Sequence, residues 1–143
     1  MNQMAYPARM SSEKDGGFTV VFVDLPEAIT SGTDRPDALL QAAGCLHEAL
    51  AARIARRESV PAPSAPKRGQ FLISVPLEFA PKLALYQAMR EQAVTNVELA
   101  RRLGVTETVV RRMLDPRHAT QPARLQRALL TLGIRVSVHV EAA

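Results

Sequence analysis

Arginine side chains occur as two adjacent pairs within one short segment, Thr95–Leu114: Arg101 with Arg102, and Arg111 with Arg112. A guanidinium group carries donors in a rigid fork, which suits phosphate oxygens and the acceptor edge of guanine. Threonine and glutamate side chains, which can also contact bases, lie beside the second pair. This spacing favours recognition of a polyanion.

The same segment has the pattern of two short helices joined by a tight turn. Thr95, followed three residues later by Glu98, predicts a capping box in which hydroxyl and carboxylate satisfy free amides. Gly104 supplies the turn because it takes a positive φ without steric cost. Thr106 can cap the second helix, whose inward residues are Val110, Met113 and Leu114. The pattern predicts a helix-turn-helix.

A helix-turn-helix places its second helix in the DNA major groove. The residues predicted to read base edges are Thr106, Glu107, Thr108, Arg111 and Arg112. Those predicted to hold phosphates are Asn96, Arg101, Arg102, Arg117 and His118. A helical hairpin without DNA contacts needs a similar apolar skeleton and remains the structural alternative.

Charge is distributed unevenly along the chain, whose net charge is +4. Residues 1–66 contain six Lys/Arg and eight Asp/Glu, a net −2, whereas residues 67–143 contain twelve and six, a net +6. A basic half with a helix-turn-helix suits DNA phosphates. The acidic half suits a different partner, such as a basic protein.

Composition narrows the remaining classes of function. The 143 residues are 47% apolar and 22% charged, which predicts a folded protein of one or two small domains. Aromatic residues are only 4%, so stacking on single-stranded bases is disfavoured. The single cysteine excludes an intramolecular disulfide. Without a signal-peptide core or a bilayer-spanning segment, we expect a cytoplasmic protein that does not contact membranes.

The N-terminal half predicts a β-β-β-α-β unit. Its strands are expected at Tyr6–Met10, Phe18–Val23, Ala28–Gly32 and Phe71–Val75. A helix capped by Thr33 or Asp34 precedes the fourth strand, and its inward residues are Leu39, Ala43, Leu46, Leu50 and Ile54. The proline-rich segment, residues 60–66, interrupts this unit, and the domain boundary is placed near Pro76–Pro81 because the fourth strand needs a sheet.

The C-terminal half predicts four helices followed by a strand. A helix over Lys82–Ala93 precedes the helix-turn-helix, and Pro122 opens another that ends at Gly133. The tail then alternates as a half-buried strand does, with apolar residues Ile134, Val136, Val138 and Val140. An unpaired strand favours the same strand of a second copy, giving a homodimer or higher oligomer. Return pairing onto the N-terminal sheet is the alternative.

Several short motifs, in this order and spacing, resemble the HicB family of antitoxins, the partners of HicA mRNA-cleaving toxins. The motifs are Tyr6-Pro7, Gly16–Val20, Asp24–Gly32, Ala38 with Leu46, Val60–Ser64, Lys82–Tyr86 and Asp115–Thr120. The resemblance implies an α+β protein with a truncated ribonuclease H-like toxin-binding domain at 1–77. It also implies a DNA-binding and dimerisation domain at 78–143 that represses its own operon. Under this resemblance, the candidate toxin contacts are Asp24, Glu27 and Asp37.

Two other functions stay open at this point. A nuclease would need several carboxylates around metal ions, but the predicted strands lack them and the three histidines have no ligand spacing. We therefore expect no catalytic residues, no metal and no cofactor. The second alternative is a stand-alone dimeric repressor whose N-terminal unit senses a ligand or assembles oligomers.

Overall fold

The computed structural model describes residues 3–142 and shows an α+β protein. The chain divides into two compact units, Met1–Leu77 and Glu78–Ala143. We call them the N-terminal and the C-terminal unit.

An antiparallel sheet forms the centre of the N-terminal unit. Its strands are β1 (Ala5–Ser12), β2 (Phe18–Phe22), β3 (Ile29–Gly32) and β4 (Phe71–Ser74). They lie in the order β3-β2-β1-β4, and every neighbouring pair is antiparallel. Helix α1 (Arg35–Ala55) lies between β3 and β4 in the chain and covers one face. The predicted β-β-β-α-β order is confirmed.

The inward face of α1 differs from the predicted one in its first turns. Ala38 and Ala42 are fully buried, whereas Leu39 and Ala43 are only half-buried. The small side chain of Ala38 lets the helix approach Gly32, where an added Cβ would lie 2.3 Å from the Ala38 nitrogen. Further along the helix the predicted inward residues Leu46, Leu50 and Ile54 are buried.

The proline-rich segment (residues 60–66) is fastened to the N-terminal unit rather than left as a free linker. The buried Tyr6 donates its hydroxyl to the Pro61 carbonyl at 2.7 Å, and burial raises the pKa of this phenol to about 12. The Ser64 amide donates to the Asp24 carboxylate at 2.8 Å. These bonds hold the segment against the N-terminal unit along its path from α1 to β4, and β4 pairs antiparallel with β1.

Four helices build the C-terminal unit: α2 (Ala80–Gln92), α3 (Asn96–Leu103), α4 (Glu107–Leu114) and α5 (Pro122–Thr131). Helix α2 begins two residues earlier than predicted because Pro81 fits the first turn, where its missing amide hydrogen costs nothing. The helices enclose one apolar core that includes Leu85, Leu99, Val110, Leu125 and Leu129.

The predicted C-terminal strand is not formed within the described chain. Residues 134–142 are extended, but a strand requires a hydrogen-bonded neighbour, and no described segment pairs with them. Ile134 and Val136 pack against the core of the C-terminal unit. Val138 and Val140 are 66% and 86% exposed.

Candidate functional site

Helices α3 and α4 begin and end at the signals read from the sequence. The Thr95 hydroxyl accepts from the Glu98 amide at 3.1 Å, and the Thr106 hydroxyl accepts from the Val109 amide at 3.4 Å. Between the helices, Gly104 has φ 68°, a conformation that favours glycine. Local capping therefore sets the turn that presents α4.

The Glu98 carboxylate does not complete the predicted capping box, because it pairs with arginines on its own helix. Its Oε1 lies 2.6 Å from Arg101 Nη2 and 2.9 Å from Arg102 Nε. Hydrogen bonds from these guanidinium groups lower the Glu98 pKa to about 2. Two of the predicted phosphate ligands are thus already ion-paired, and a phosphate would have to compete with a carboxylate for them.

A second polar network joins the start of α3 to the start of α4. Arg111 Nη2 donates to Glu107 Oε2 at 3.0 Å and to the Thr108 hydroxyl at 3.3 Å. Asn96 Nδ2 donates to the other Glu107 oxygen at 3.3 Å. The structure thus brings three predicted base-reading residues together with one predicted phosphate ligand. The Arg111 side chain in this network is 66% exposed.

Several arginines of the C-terminal unit have no carboxylate partner among residues 3–142, and they lie after this network in the chain. Arg112 and Arg117, both predicted DNA contacts, belong to this group. So do Arg124 and Arg127 on α5, and Arg135, none of which the sequence reasoning assigned to DNA. The sequence does contain a pattern that indicates these arginines: residues 116–140 include four arginines and no acidic residue.

A buried lysine lies beneath this arginine-rich region. Lys82, on α2, is 2% exposed, and its ammonium donates to the carbonyls of Arg112 and Met113 at 3.0 and 3.1 Å. It also donates to the Thr120 hydroxyl at 2.7 Å, which lies 3.3 Å from His118 Nδ1. Burial lowers the Lys82 pKa, although nearby Asp115 opposes that shift.

Sequence reasoning missed Lys82 as a structural residue. It occupies the same helical stripe as the buried Leu85 and Met89, three and seven residues later. That spacing is the signal that could have found it.

The three carboxylates proposed as toxin contacts each hold the N-terminal unit together. Glu27 forms a two-point ion pair with Arg53 at 2.6 and 3.0 Å, which lowers the Glu27 pKa. Asp37 accepts the Thr33 amide at 2.8 Å, and this bond lowers the Asp37 pKa. Asp24 anchors the proline-rich segment, as described above. Their bonds within the unit account for these residue types without a partner protein.

The sheet face away from α1 offers a different kind of surface. Strand register places Arg9, Val21 and Ile29 side by side on this face. Ile29 is 59% exposed, and Leu72 on β4 is 39% exposed. We call Arg9, Val21, Ile29 and Leu72 the outer sheet face. Exposed apolar side chains flanked by polar ones are typical of protein-binding surfaces.

The structural boundary changes the charge balance between the halves. Lys67 and Arg68 belong to the N-terminal unit, which therefore has eight basic and eight acidic residues. The C-terminal unit has ten basic and six acidic residues. The N-terminal unit is thus neutral rather than acidic, and only the basic character of the C-terminal unit persists.

Membrane-spanning and metal-binding features were both possible within residues 3–142. None of the helices within residues 3–142 is both long and apolar enough to cross a membrane. Over the same range, His, Cys, Asp and Glu side chains do not gather in any group of three that could hold a metal ion.

Comparison with known proteins finds similarity over both units. A family described as HicB_like antitoxin of bacterial toxin-antitoxin system matches residues 5–84. The chain is 34% identical to Antitoxin HicB of Escherichia coli K12 over 135 residues, 94% of this chain and 98% of that relative. It is 32% identical to Antitoxin HicB 1 of Photorhabdus laumondii over 141 residues, 99% and 90% of the two chains. Antitoxin HicB of Pseudomonas fluorescens is 31% identical over 92% of this chain.

Proposed function

The chain belongs to the HicB-like antitoxin family of bacterial toxin-antitoxin systems, and we propose that it captures a HicA-type toxin and represses its own operon. In this proposal the N-terminal unit, with a truncated ribonuclease H-like fold, binds the toxin. The C-terminal unit binds operator DNA through a helix-turn-helix formed by α3 and α4. The observation that carries the proposal is the similarity to named antitoxins along both units.

The DNA-binding half of the proposal is supported by the arrangement around α4. The exposed Arg111 is suited to a guanine edge, and Thr106, Glu107, Thr108 and Arg112 share its helix or cap. Phosphates would be held first by Arg117 and by the α5 arginines, because those guanidinium groups have no acidic partner among the described residues. Arg101 and Arg102 would contribute less, since both already pair with the Glu98 carboxylate.

For the toxin, we propose the outer sheet face as the binding surface. Asp24, Glu27 and Asp37 already have partners within the unit, and freeing them would cost bonds that hold it together. Burial of the exposed Ile29 side chain against a partner, by contrast, would contribute favourable free energy of binding. A toxin contact centred there needs no rearrangement of the unit.

The exposed C-terminal tail supports assembly of two copies. Val138 and Val140 project into solvent from an extended segment, and an extended segment can pair with its copy about a two-fold axis. Two recognition helices would then reach successive major grooves about 34 Å apart.

An affinity pull-down of the tagged full chain from its own cells, after nuclease digestion, tests the proposal. Intact-mass analysis should show a short basic protein in near-stoichiometric amount. The matched variants are Ile29→Glu on the outer sheet face and Leu40→Glu, which changes a residue of α1 that is 71% exposed. We expect Ile29→Glu to lose the partner and Leu40→Glu to retain it. Recovery of the chain alone would instead favour a stand-alone repressor.

A further inference from the structure

Three polar groups meet the ammonium of Lys82 inside the C-terminal unit. Two are the carbonyls of Arg112 and Met113 in the last turn of α4, and the third is the Thr120 hydroxyl. A protonated lysine has three N–H donors, so each donor has one acceptor. Donors and acceptors are equal in number only while the Lys82 amine is protonated.

This arrangement satisfies groups that a helix end leaves open. The Arg112 carbonyl also accepts from the Asp115 amide at 3.2 Å, so the ammonium supplements a backbone bond there. A cation at this end of α4 opposes the negative end of the helix dipole. Burying a charge is costly unless it is fully hydrogen-bonded, so a lysine that is 2% exposed indicates a specific structural demand. A methionine of similar length would fill the space but take the ammonium donors away from all three acceptors.

The loop that Lys82 holds is the one that carries predicted DNA contacts. Residues 115–121 connect α4 to α5, and they include Arg117 and His118. His118 Nδ1 is 3.3 Å from the same Thr120 hydroxyl that accepts from Lys82. Arg112, whose carbonyl accepts from Lys82, carries its side chain toward solvent at the end of α4. One buried amine therefore ties the end of α4 to this loop.

We propose that Lys82 is a positioning residue for DNA recognition. Its ammonium fixes the loop of residues 115–121 against the end of α4, so that Arg112 and Arg117 present guanidinium groups at a set spacing to successive phosphates. Lys82 itself does not touch DNA. This inference rests on the proposed operator binding by the C-terminal unit and adds the group that organises it.

The test compares Lys82→Met with Lys67→Met, which removes the same charge from an exposed loop of the N-terminal unit. Full-length proteins are titrated against a duplex from upstream of the gene and a scrambled duplex, over a series of salt concentrations. Lys82→Met should bind the upstream duplex about tenfold more weakly, and its log–log salt slope should be shallower by about 1–2, as expected for one or two lost phosphate contacts. Lys67→Met should behave as wild type.

Thr120 provides a milder pair of variants if Lys82→Met does not fold. Thr120→Val removes one acceptor at nearly constant volume and should weaken binding by about threefold, the effect of one modest hydrogen bond. Thr120→Ser keeps the hydroxyl and should restore wild-type binding. In Thr120→Val, amide hydrogen exchange should accelerate in residues 115–121 and stay unchanged at Leu125 and Leu129.

Three results would overturn the inference. Wild-type affinity and salt slope in Lys82→Met would show that the loop needs no such anchor. Faster exchange throughout the C-terminal unit in both Lys82→Met and Thr120→Val would reduce Lys82 to a general stabilising residue. If the wild-type chain binds neither duplex, the proposed operator binding is itself wrong, and the role of Lys82 falls with it.

Discussion

Charged side chains of the two units look alike in the sequence but have different surroundings in the structure. In the N-terminal unit, Glu27 binds Arg53, and Asp37 accepts from the Thr33 amide just before α1. These charged groups therefore stabilise the unit internally. In the C-terminal unit, Arg112 and Arg117 have no acidic partner among residues 3–142. Internal pairing, more than the count of charges, therefore indicates which surface is available to a partner.

We expect the largest effect from a substitution that destabilises the N-terminal unit and leaves the C-terminal unit folded. Gly32→Ala would place a Cβ 2.3 Å from the Ala38 backbone nitrogen, an overlap that only a backbone shift can relieve. We expect the N-terminal unit to lose about 3 kcal/mol of stability or more, with loss of toxin capture and retention of DNA binding. Denaturant unfolding and both binding assays measure this.

Gly44→Ala is the matched control, because nothing lies within 4 Å of the added methyl group on α1. It should stabilise the unit by about 0.5–1 kcal/mol, the usual gain of alanine over glycine in a helix. If Gly32→Ala abolished DNA binding as well, the two units would not act separately.

The next effect concerns reading of the sequence by α4. Arg111→Ala should lower discrimination between operator and mutated operator by about 1–3 kcal/mol, because a two-point guanidinium contact to guanine is lost. Binding-site selection with the full chain measures the change in preferred bases. An unaltered preference would show that the reading face is assigned to the wrong residues.

A comparison of Arg117 with Arg101 tests whether an ion pair with a carboxylate weakens an arginine's contribution to DNA binding. Arg117→Ala should weaken every duplex by about tenfold and reduce the salt slope by about 0.9. Arg101→Ala should have less than half of that effect on the slope, because this group already pairs with Glu98. Equal losses in the two variants would break the distinction between paired and unpaired arginines.

A smaller effect tests the fastening of the proline-rich segment. Tyr6→Phe removes the 2.7 Å bond to the Pro61 carbonyl and should cost about 1 kcal/mol. The Tyr6 pKa is raised from 10.0 to about 12, so its contribution is complete below pH 10 and is lost as pH rises through 12. The stability of the wild type should therefore fall relative to that of Tyr6→Phe over that range, and parallel curves would contradict the assignment.

The smallest effect should come from releasing the paired arginines of α3. Glu98→Gln removes the carboxylate that binds Arg101 and Arg102, and should strengthen binding to scrambled DNA by about two- to fivefold at low salt. The gain should vanish at high salt, where exposed charges are screened. Unchanged low-salt affinity would show that these arginines lie away from the DNA.

Local signals made much of the fold predictable. Thr95, Gly104 and Thr106 set the ends of α3 and α4 through contacts within four residues, which a sequence pattern can represent. The β-β-β-α-β order followed likewise from runs of β-branched residues and from apolar periodicity.

Contacts between distant residues explain what the sequence could not show. The ammonium of Lys82 reaches carbonyls 30 and 31 residues later, and Glu27 meets Arg53 26 residues away. Periodicity can mark Lys82 as inward-facing, but it cannot say which atoms receive its donors. The C-terminal tail is the opposite case: its alternation predicts a strand, but a strand needs a neighbour, and none of the segments within residues 3–142 pairs with it.

Binding of the full chain to DNA over a salt series is the sharpest test of the C-terminal unit as an operator-binding domain. The duplex from upstream of the gene and a scrambled duplex of equal length are titrated in parallel. We expect the upstream duplex to bind about a thousandfold more tightly than the scrambled one or more, with both affinities falling steeply as salt increases. Equal affinity for the two duplexes, or binding insensitive to salt, would contradict the assignment of the C-terminal unit as an operator-binding domain.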